Sequence, residues 1–265
     1  MKLKLYNIIP SLQSYIKAIC SIEYSGDDNA KSTFRVLPDT CVEVFFNFAN
    51  DTIVKIESTA PFNSSGSFVT SRMRKYMDVE IYPNSCWIAV CFKPGAAYNF
   101  FKLPMKELSD YTINLADLWN TKDYQFEREI TRCKNNNERV LAIQQFLQKL
   151  LHDRFKNNDE YEYCLWQINL YKGQIPIKVL SKKTNISQRQ LSRQFKANLG
   201  LSPKEFSRIN RFIYSLENLK NKTANNLTQI AYESGYYDQA HFIHDCKEFT
   251  GLTPKELIVS KKIVY

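Results

Sequence analysis

The deciding stretch occurs twice, as QRQLSRQFKANLGLSPKEF at residues 188–206 and QAHFIHDCKEFTGLTPKEL at residues 239–257. At an offset of 51 residues the copies are identical at Gln188/Gln239, Lys196/Lys247, Gly200/Gly251, Leu201/Leu252, Pro203/Pro254, Lys204/Lys255 and Glu205/Glu256. Ser202/Thr253 and Phe206/Leu257 are conservative pairs. Upstream the offset falls to 50, pairing Ile177 with Leu227, Leu180 with Ile230, Ser181 with Ala231 and Asn185 with Gly235. The second copy therefore has one extra residue after Gly235. Two copies are too few for a solenoid.

Each copy follows the physical grammar of helix-turn-helix. A short helix, near residues 176–183 and 228–234, turns small or apolar residues inward. Asn185 or Gly235 then ends it, being residue types that tolerate a left-handed backbone. Ser187 and Asp238 are good N-caps for the second helix. That helix is expected to bury Leu191 and Phe195 in the first copy, and Phe242, Cys246 and Phe249 in the second. Gly200 and Gly251 stop it, and Pro203 and Pro254 suit the first turn of the next helix.

The remaining faces point to function. Arg189, Ser192, Arg193 and Lys196 recur at helical spacing as one exposed stripe. Their equivalents are Ala240, Ile243, His244 and Lys247, with Gln239 at the amino end. Arg reads guanine edges, Gln reads adenine, and Ile touches a thymine methyl. Charge agrees with this reading: residues 156–265 hold 17 Lys+Arg against 10 Asp+Glu, whereas residues 1–155 hold 19 against 17. The surplus lies beside the repeat and suggests a polyanionic partner.

The segment resembles the C-terminal DNA-binding domain of AraC-type bacterial transcription regulators. The second copy carries that family's signature at Ile230-Ala231, Gly235-Tyr236, Asp238-Gln239, His241-Phe242, Lys247, Gly251 and Thr253-Pro254. The first matches at Leu180, Ser187, Leu191, Arg193, Phe195-Lys196, Gly200 and Ser202-Pro203, and Arg211 stands in the connecting helix where the family has Arg. Three residues depart from the pattern: Cys246 replaces Phe, His244 replaces Arg, and Ser181 replaces Ala.

The resemblance implies seven helices forming two helix-turn-helix units joined by a long helix over about residues 203–220. It implies insertion of both recognition helices into successive major grooves of double-stranded promoter DNA, about 34 Å apart. The DNA-binding set is Ser187, Gln188, Arg189, Ser192, Arg193, Lys196, Asp238, Gln239, Ala240, Ile243, His244 and Lys247. Lys178, Lys182, Lys183, Lys196, Lys220, Lys222 and Lys247 are candidates for phosphate contact, which carries affinity rather than sequence. A homodimer, RNA polymerase and a small-molecule effector are further partners the resemblance brings in, as activator or repressor in a bacterial cytoplasm. No cofactor or metal is expected.

The first ~120 residues read as strand-rich. Residues 40–48 (TCVEVFFNF) alternate, and residues 53–56, 77–82 and 87–92 are similar short runs, separated by turn-forming Pro38-Asp39, residues 63–66 and Pro83-Asn84. An early helix is expected at residues 11–22, and another after Pro94-Gly95. Residues 38–48, 86–110 and 115–120 resemble the N-terminal region of some AraC-type proteins. From about Asp123 the period turns helical. Phe126, Ile130 and Cys133 share one face; Val140, Ile143, Phe146, Leu147, Leu150 and Leu151 share another. These helices suit either a dimer interface or packing within their own domain.

The expected fold class is α+β: a β-rich, barrel-like sensing domain over residues 1–120, amphipathic helices over 121–155 with a linker near 153–160, and an all-α double helix-turn-helix domain over 161–265.

The chain has 265 residues, and its 44% hydrophobic and 14% aromatic content excludes wholesale disorder. The apolar run at residues 86–92 stops at Lys93, well short of the ~20 residues of a bilayer span, so no membrane partner is expected. Seven scattered cysteines without a CxxC fit a reducing compartment. Cys86 and Cys91, five apart in an apolar run, read as core rather than as a metal pair. No P-loop, GxGxxG or GxSxG is present, and His241, His244 and Cys246 already have places in the repeat. The chain therefore reads as a non-enzyme. The alternatives are a DNA-targeted enzyme such as a repair alkyltransferase, which needs an activated cysteine, and a non-specific architectural DNA binder.

Overall fold

The computed structural model describes residues 2–25, 31–49, 54–57, 62–64, 66–71, 73–118, 121–154, 158–221, 226–260 and 263–264. The strands are β1 (Lys2–Leu5), β2 (Ile16–Tyr24), β3 (Ser32–Val36), β4 (Val42–Asn47), β5 (Val54–Glu57), β6 (Phe62–Ser64), β7 (Phe68–Ser71), β8 (Met77–Ile81), β9 (Ser85–Phe92), β10 (Thr112–Asn114) and β11 (Ile263–Val264). Among the described residues they form two sheets, in the orders β1-β2-β9-β4-β7-β10 and β11-β3-β8-β5-β6. Every pairing is antiparallel except β11 with β3. The barrel-like expectation thus takes the form of two separate sheets rather than one closed cylinder.

β9 (SCWIAVCF) is apolar almost throughout because its sheet is covered on both faces. Trp87, Ala89 and Cys91 line a cavity walled on its other side by β3, β5 and β8. Ile88, Val90 and Phe92 turn the other way into the main core. β4 divides likewise: Phe45 stacks on Phe68, while Phe46 meets Phe126 edge-on. Phe126 belongs to α2 (Thr121–Thr131), which follows the single-turn α1 (Leu115–Leu118); α3 (Asn136–Arg154) comes next. The apolar residues Phe126, Ile130, Val140, Ile143, Leu147 and Leu150 are buried in this core, so their faces are filled by the same chain.

Two expected helices give way to other structure. Residues 11–22 hold a 3-10 turn (Pro10–Leu12) and then β2, not a helix. A bulge between Ile16 and Ala18 breaks the strand's alternation, so Ile16 and Ile19 share the core face three residues apart, while Ile22 turns to the opposite, cavity face. After Gly95 only the 3-10 turn Ala97–Asn99 forms. β1, β3, β6, β7, β10 and β11 lie outside the runs marked by sequence. The linker expected near 153–160 falls between the end of α3 and the next helix, and residues 155–157 lie outside those described, as does Lys222.

The C-terminal part is helical: α4 (Asp159–Leu170), α5 (Ile177–Thr184), α6 (Gln188–Asn198), α7 (Pro203–Asn221), α8 (Leu227–Glu233), α9 (Gln239–Thr250) and α10 (Pro254–Val259). Among the described residues these are seven helices, the number the resemblance implied. They are not isolated from the sheets. One hydrophobic cluster runs through both parts. Tyr161 Oη donates to the Gly95 carbonyl at 3.3 Å, Arg35 Nη1 donates to the Thr250 carbonyl at 3.1 Å, and Arg74 lies 3.7 Å from Glu205. β11 returns the chain to the N-terminal sheet beside β3, a placement that a purely helical C-terminal domain did not anticipate. No helix among the described residues is long and apolar enough to cross a membrane.

Candidate nucleic-acid interface

The first unit begins with α5, which ends at Asn185 with φ at 57°, the left-handed stop expected there. Ser181 Oγ donates to the Ile186 carbonyl at 2.6 Å. This hydroxyl ties down the turn. Ser187 then caps α6 through a reciprocal box: its hydroxyl accepts from the Gln190 amide, and Gln190 Oε1 accepts from the Ser187 amide. Leu191 and Phe195 are fully buried, with the Phe195 ring 5.0 Å from Tyr161 and 6.1 Å from Phe206. On the opposite face Gln188, Arg189, Arg193 and Lys196 are exposed, with Ser187, and Ser192 is half-buried. The predicted stripe is assembled.

The second unit is built alike with different braces. Gly235, φ 78°, ends α8, and Arg211 on α7 donates to its carbonyl at 3.3 Å. Asn218 Nδ2 donates to Ser234 Oγ at 3.2 Å, so the long helix holds this turn from two positions. Asp238 Oδ1 accepts from the His241 amide at 2.7 Å and caps α9. Phe242, Cys246 and Phe249 are buried, as expected. Ala240, His244 and Lys247 are exposed, while Gln239 and Ile243 are half-buried. Thr228 donates to Gln239 Oε1 at 2.7 Å, which engages the side-chain carbonyl and leaves the amide's donor capacity at its nitrogen.

Sequence reading missed the most developed contact of this region. Arg208 of α7 donates through Nε and Nη2 to Asp245 Oδ1, at 3.1 and 2.6 Å, and through Nη1 and Nη2 to Glu248, at 2.9 and 2.5 Å. Asp245 is buried, so the pair fixes the recognition helix to the connecting helix and balances a charge that burial would otherwise penalise. Hydrogen bonding to Glu248, against the cost of burial, holds the Arg208 proton more tightly than usual. The same bond holds the Glu248 carboxyl below its ordinary range. His244 Nδ1 lies 3.7 Å from both Asp245 and Glu248. The exposed face of α6 carries Arg189, Arg193 and Lys196, whereas that of α9 carries Lys247 beside two acids, so α9 presents less positive charge than α6.

The repeat's shared S/T-P-K-E also acquires a reason. Glu205 Oε2 accepts from the Ser202 amide and hydroxyl at 2.7 and 2.6 Å, and Glu256 Oε2 from those of Thr253 at 2.7 and 2.8 Å. Both are capping boxes that start the helix after each recognition helix.

Cys246, the cysteine nearest Lys and His in sequence, is buried, and burial pushes its thiol up to about 11. That environment disfavours the thiolate an alkyltransferase needs. Cys86 and Cys91 are half-buried on opposite sides of β9 and do not form a pair. Separately, the cavity between the sheets has a volume of roughly 390 Å³, opens to solvent past Leu3 and Leu5, is lined mainly by aliphatic and aromatic side chains, and also admits Lys17, Asp39, Glu43 and Thr70.

Residues 180–258 match the model of a helix-turn-helix domain family, and residues 8–114 match a domain of unknown function, DUF6597. No curated protein sequence matches the chain. Among solved structures the chain is similar to ToxT from Vibrio cholerae, with TM-score 0.49 at 13% identity over 91% of this chain and 98% of that one. It is similar to the C-terminal domain of AraT, a response regulator from Geobacillus stearothermophilus, with TM-score 0.37 at 23% identity over 40% and 89% of the two chains. A third is the AraC-like transcriptional activator CuxR, with TM-score 0.28 at 10% identity over 82% and 86%.

Proposed function

We propose, from the premise that residues 180–258 are a helix-turn-helix domain of the AraC type, that the chain is a sequence-specific, double-stranded DNA-binding transcription regulator of the bacterial cytoplasm. The observation that carries this is the pair of N-capped helices, α6 and α9, each burying its apolar face and leaving a polar stripe exposed. Arg189, Ser192 and Arg193 contact base edges in one major groove; Gln239, Ala240, Ile243 and His244 contact the next. Ser187, Gln188 and Asp238 orient the helix starts at the DNA surface. Lys196 and Lys247, with Lys178, Lys182, Lys183 and Lys220, supply phosphate contacts. The two stripes differ in chemistry, so one chain reads two unlike half-elements.

The N-terminal half, residues 1–120 in this reading, is the sensing part. Its cavity lies in the range of small-molecule sites, about 300–1,000 Å³, and its lining suits a mainly apolar effector with one polar end. The inner face of β7 lines this cavity, and Ser71 of β7 donates to the Leu108 carbonyl. The neighbouring turn, Met105–Ser109, is packed against Gly200 at the end of α6. An occupant therefore has a short physical route to the first recognition helix. A homodimer and contact with RNA polymerase at the promoter belong to the same reading.

The test is selection of DNA from a random pool by the full-length protein. Two dissimilar blocks one helical turn apart support the reading, and a repeat of that bipartite site adds the dimer. An unenriched pool, both with the full chain and with residues 156–265 alone, overturns it.

A further inference from the structure

At one end of the cavity lies a side-chain cluster with no part in DNA binding. Asp39, Cys41 and Cys91 each offer one donor atom, and the three donors lie within 4.8 Å of one another. The sequence hides this grouping, because Cys91 is on β9 and the other two precede β4. Glu43 stands opposite Cys91 in the β4–β9 ladder. Cys41 lies two residues earlier, just before β4 begins, and its sulfur comes within 4.8 Å of that of Cys91. The turn that carries Asp39 and Cys41 is fixed: Thr40 is left-handed at φ 59°, and Asp39 Oδ1 accepts from the Cys41 amide at 3.1 Å. Cys41 is buried, and Cys91 Sγ donates to the Phe92 carbonyl at 3.9 Å. Lys17 Nζ stands 3.8 Å from Cys41 Sγ and 3.9 Å from the Asp39 carboxylate.

We propose that Asp39, Cys41 and Cys91 form a binding site for a thiophilic divalent cation of the zinc class. Two sulfurs and a carboxylate oxygen favour Zn²⁺ over Mg²⁺ or Ca²⁺, which take oxygen ligands. A tetrahedral ion with Zn–S bonds of about 2.3 Å holds its sulfurs about 3.8 Å apart, a spacing this cluster reaches with little movement. The competing chemistry of two close thiols, a disulfide, needs an oxidant, whereas metal loading needs none.

Loading forms two metal–sulfur bonds and one metal–oxygen bond, breaks two S–H bonds and releases both protons to solvent, with no change of oxidation state. Two thiolates, one carboxylate and a divalent ion leave a single negative charge, which the Lys17 ammonium balances. Asp39 and Cys91 also line the cavity, so the fourth coordination position belongs to water or to a donor atom of a cavity occupant. The site is independent of the DNA reading; a chain that bound no DNA would still carry it.

The test uses reduced full-length protein and Co²⁺ as the spectroscopic probe. One equivalent of Co²⁺ is expected to give sulfur-to-cobalt charge-transfer absorption, displaced by Zn²⁺ and not by Mg²⁺. Cys41→Ser and Cys91→Ser should each lower that band by about half or more and weaken binding at least about tenfold, the double variant should lose it, and Cys133→Ser should retain both. Absence of the band in wild-type protein, or its survival at full intensity in either serine variant, overturns the proposal. X-ray absorption of zinc-loaded wild-type protein gives a readout that needs no variant. Two sulfur neighbours with lighter atoms are expected; none, or four, overturns the assignment.

Discussion

At the residue scale, what can be read from sequence is what a helical period dictates. Arg189, Arg193 and Lys196 had to share a face once α6 was a helix, and Leu191 and Phe195 had to oppose them; the structure places them so. The Arg208 bridge to Asp245 and Glu248 was not legible, because its partners lie on another helix and only packing brings them together. Two substitutions separate specificity from affinity. Arg193→Ala should cost roughly 1–3 kcal/mol at one base position and relax preference there; a selection profile unchanged by it removes Arg193 from the base-reading set. Lys247→Ala should weaken all sequences about equally and lower the slope of log affinity against log salt by about 1. Titrations at several salt concentrations measure that slope, and an unaltered one removes Lys247 from the phosphate contacts.

At the element scale, the readings that held were those fixed by local chemistry, and those that failed depended on distant neighbours. Asn185, Ser187, Gly235 and Asp238 mark helix ends through their own backbone and side-chain preferences, and each does so in the structure. β2 read as a helix because a bulge shifts its pattern and because the sheet beside it is covered on both faces. β11 is two residues long, pairs with β3 and packs Ile263 against the core, contacts that no local pattern announces. The paired capping boxes make a prediction of their own. Burial of Glu205 works to raise its pKa, but hydrogen bonds from Ser202, with Arg74 and Lys196 nearby, prevail and hold it low. Hydrogen bonds from the Thr253 amide and hydroxyl do the same for Glu256. A depressed carboxyl stabilises the fold fully above its unfolded pKa, about 4.3. That stability is lost as pH falls through the lower folded value. Thermal melts should therefore hold steady from neutral pH to about 5 and decline below about 4.3. The Glu205→Gln/Glu256→Gln variant should start lower and decline less, and an acid limb as steep as wild type would deny these boxes their part in it.

At the scale of the whole molecule, the question is whether the two recognition helices act as one rigid reader. α7 links the units, and its Arg208, Arg211 and Asn218 all engage the second one. The sheets hold the assembly at both ends, through Gly200 against the Met105–Ser109 turn and through Arg35 against the end of α9. Gly200 has φ 90°, and a methyl there would run into the Ser109 hydroxyl and the Met105 carbonyl. Gly200→Ala should accordingly lower stability by about 1–3 kcal/mol, measured by denaturant unfolding; a variant as stable as wild type would show that this junction is loose. Rigidity also has a signature in the DNA. Two helices held in fixed relation reach only half-elements that face the same side of the duplex, one turn of about 10–10.5 base pairs apart. Inserting about five base pairs between the selected blocks turns one of them to the far side, where no rotation within a rigid reader can follow. Affinity should then fall to that of a single block, and inserting a full turn should leave it there, since the second helix cannot move outward by ~34 Å. Gel-shift titration of the three spacings measures this. Binding that recovers with a full-turn insertion would mean that separate chains occupy the two blocks, and that the double helix-turn-helix is not the unit that reads the site.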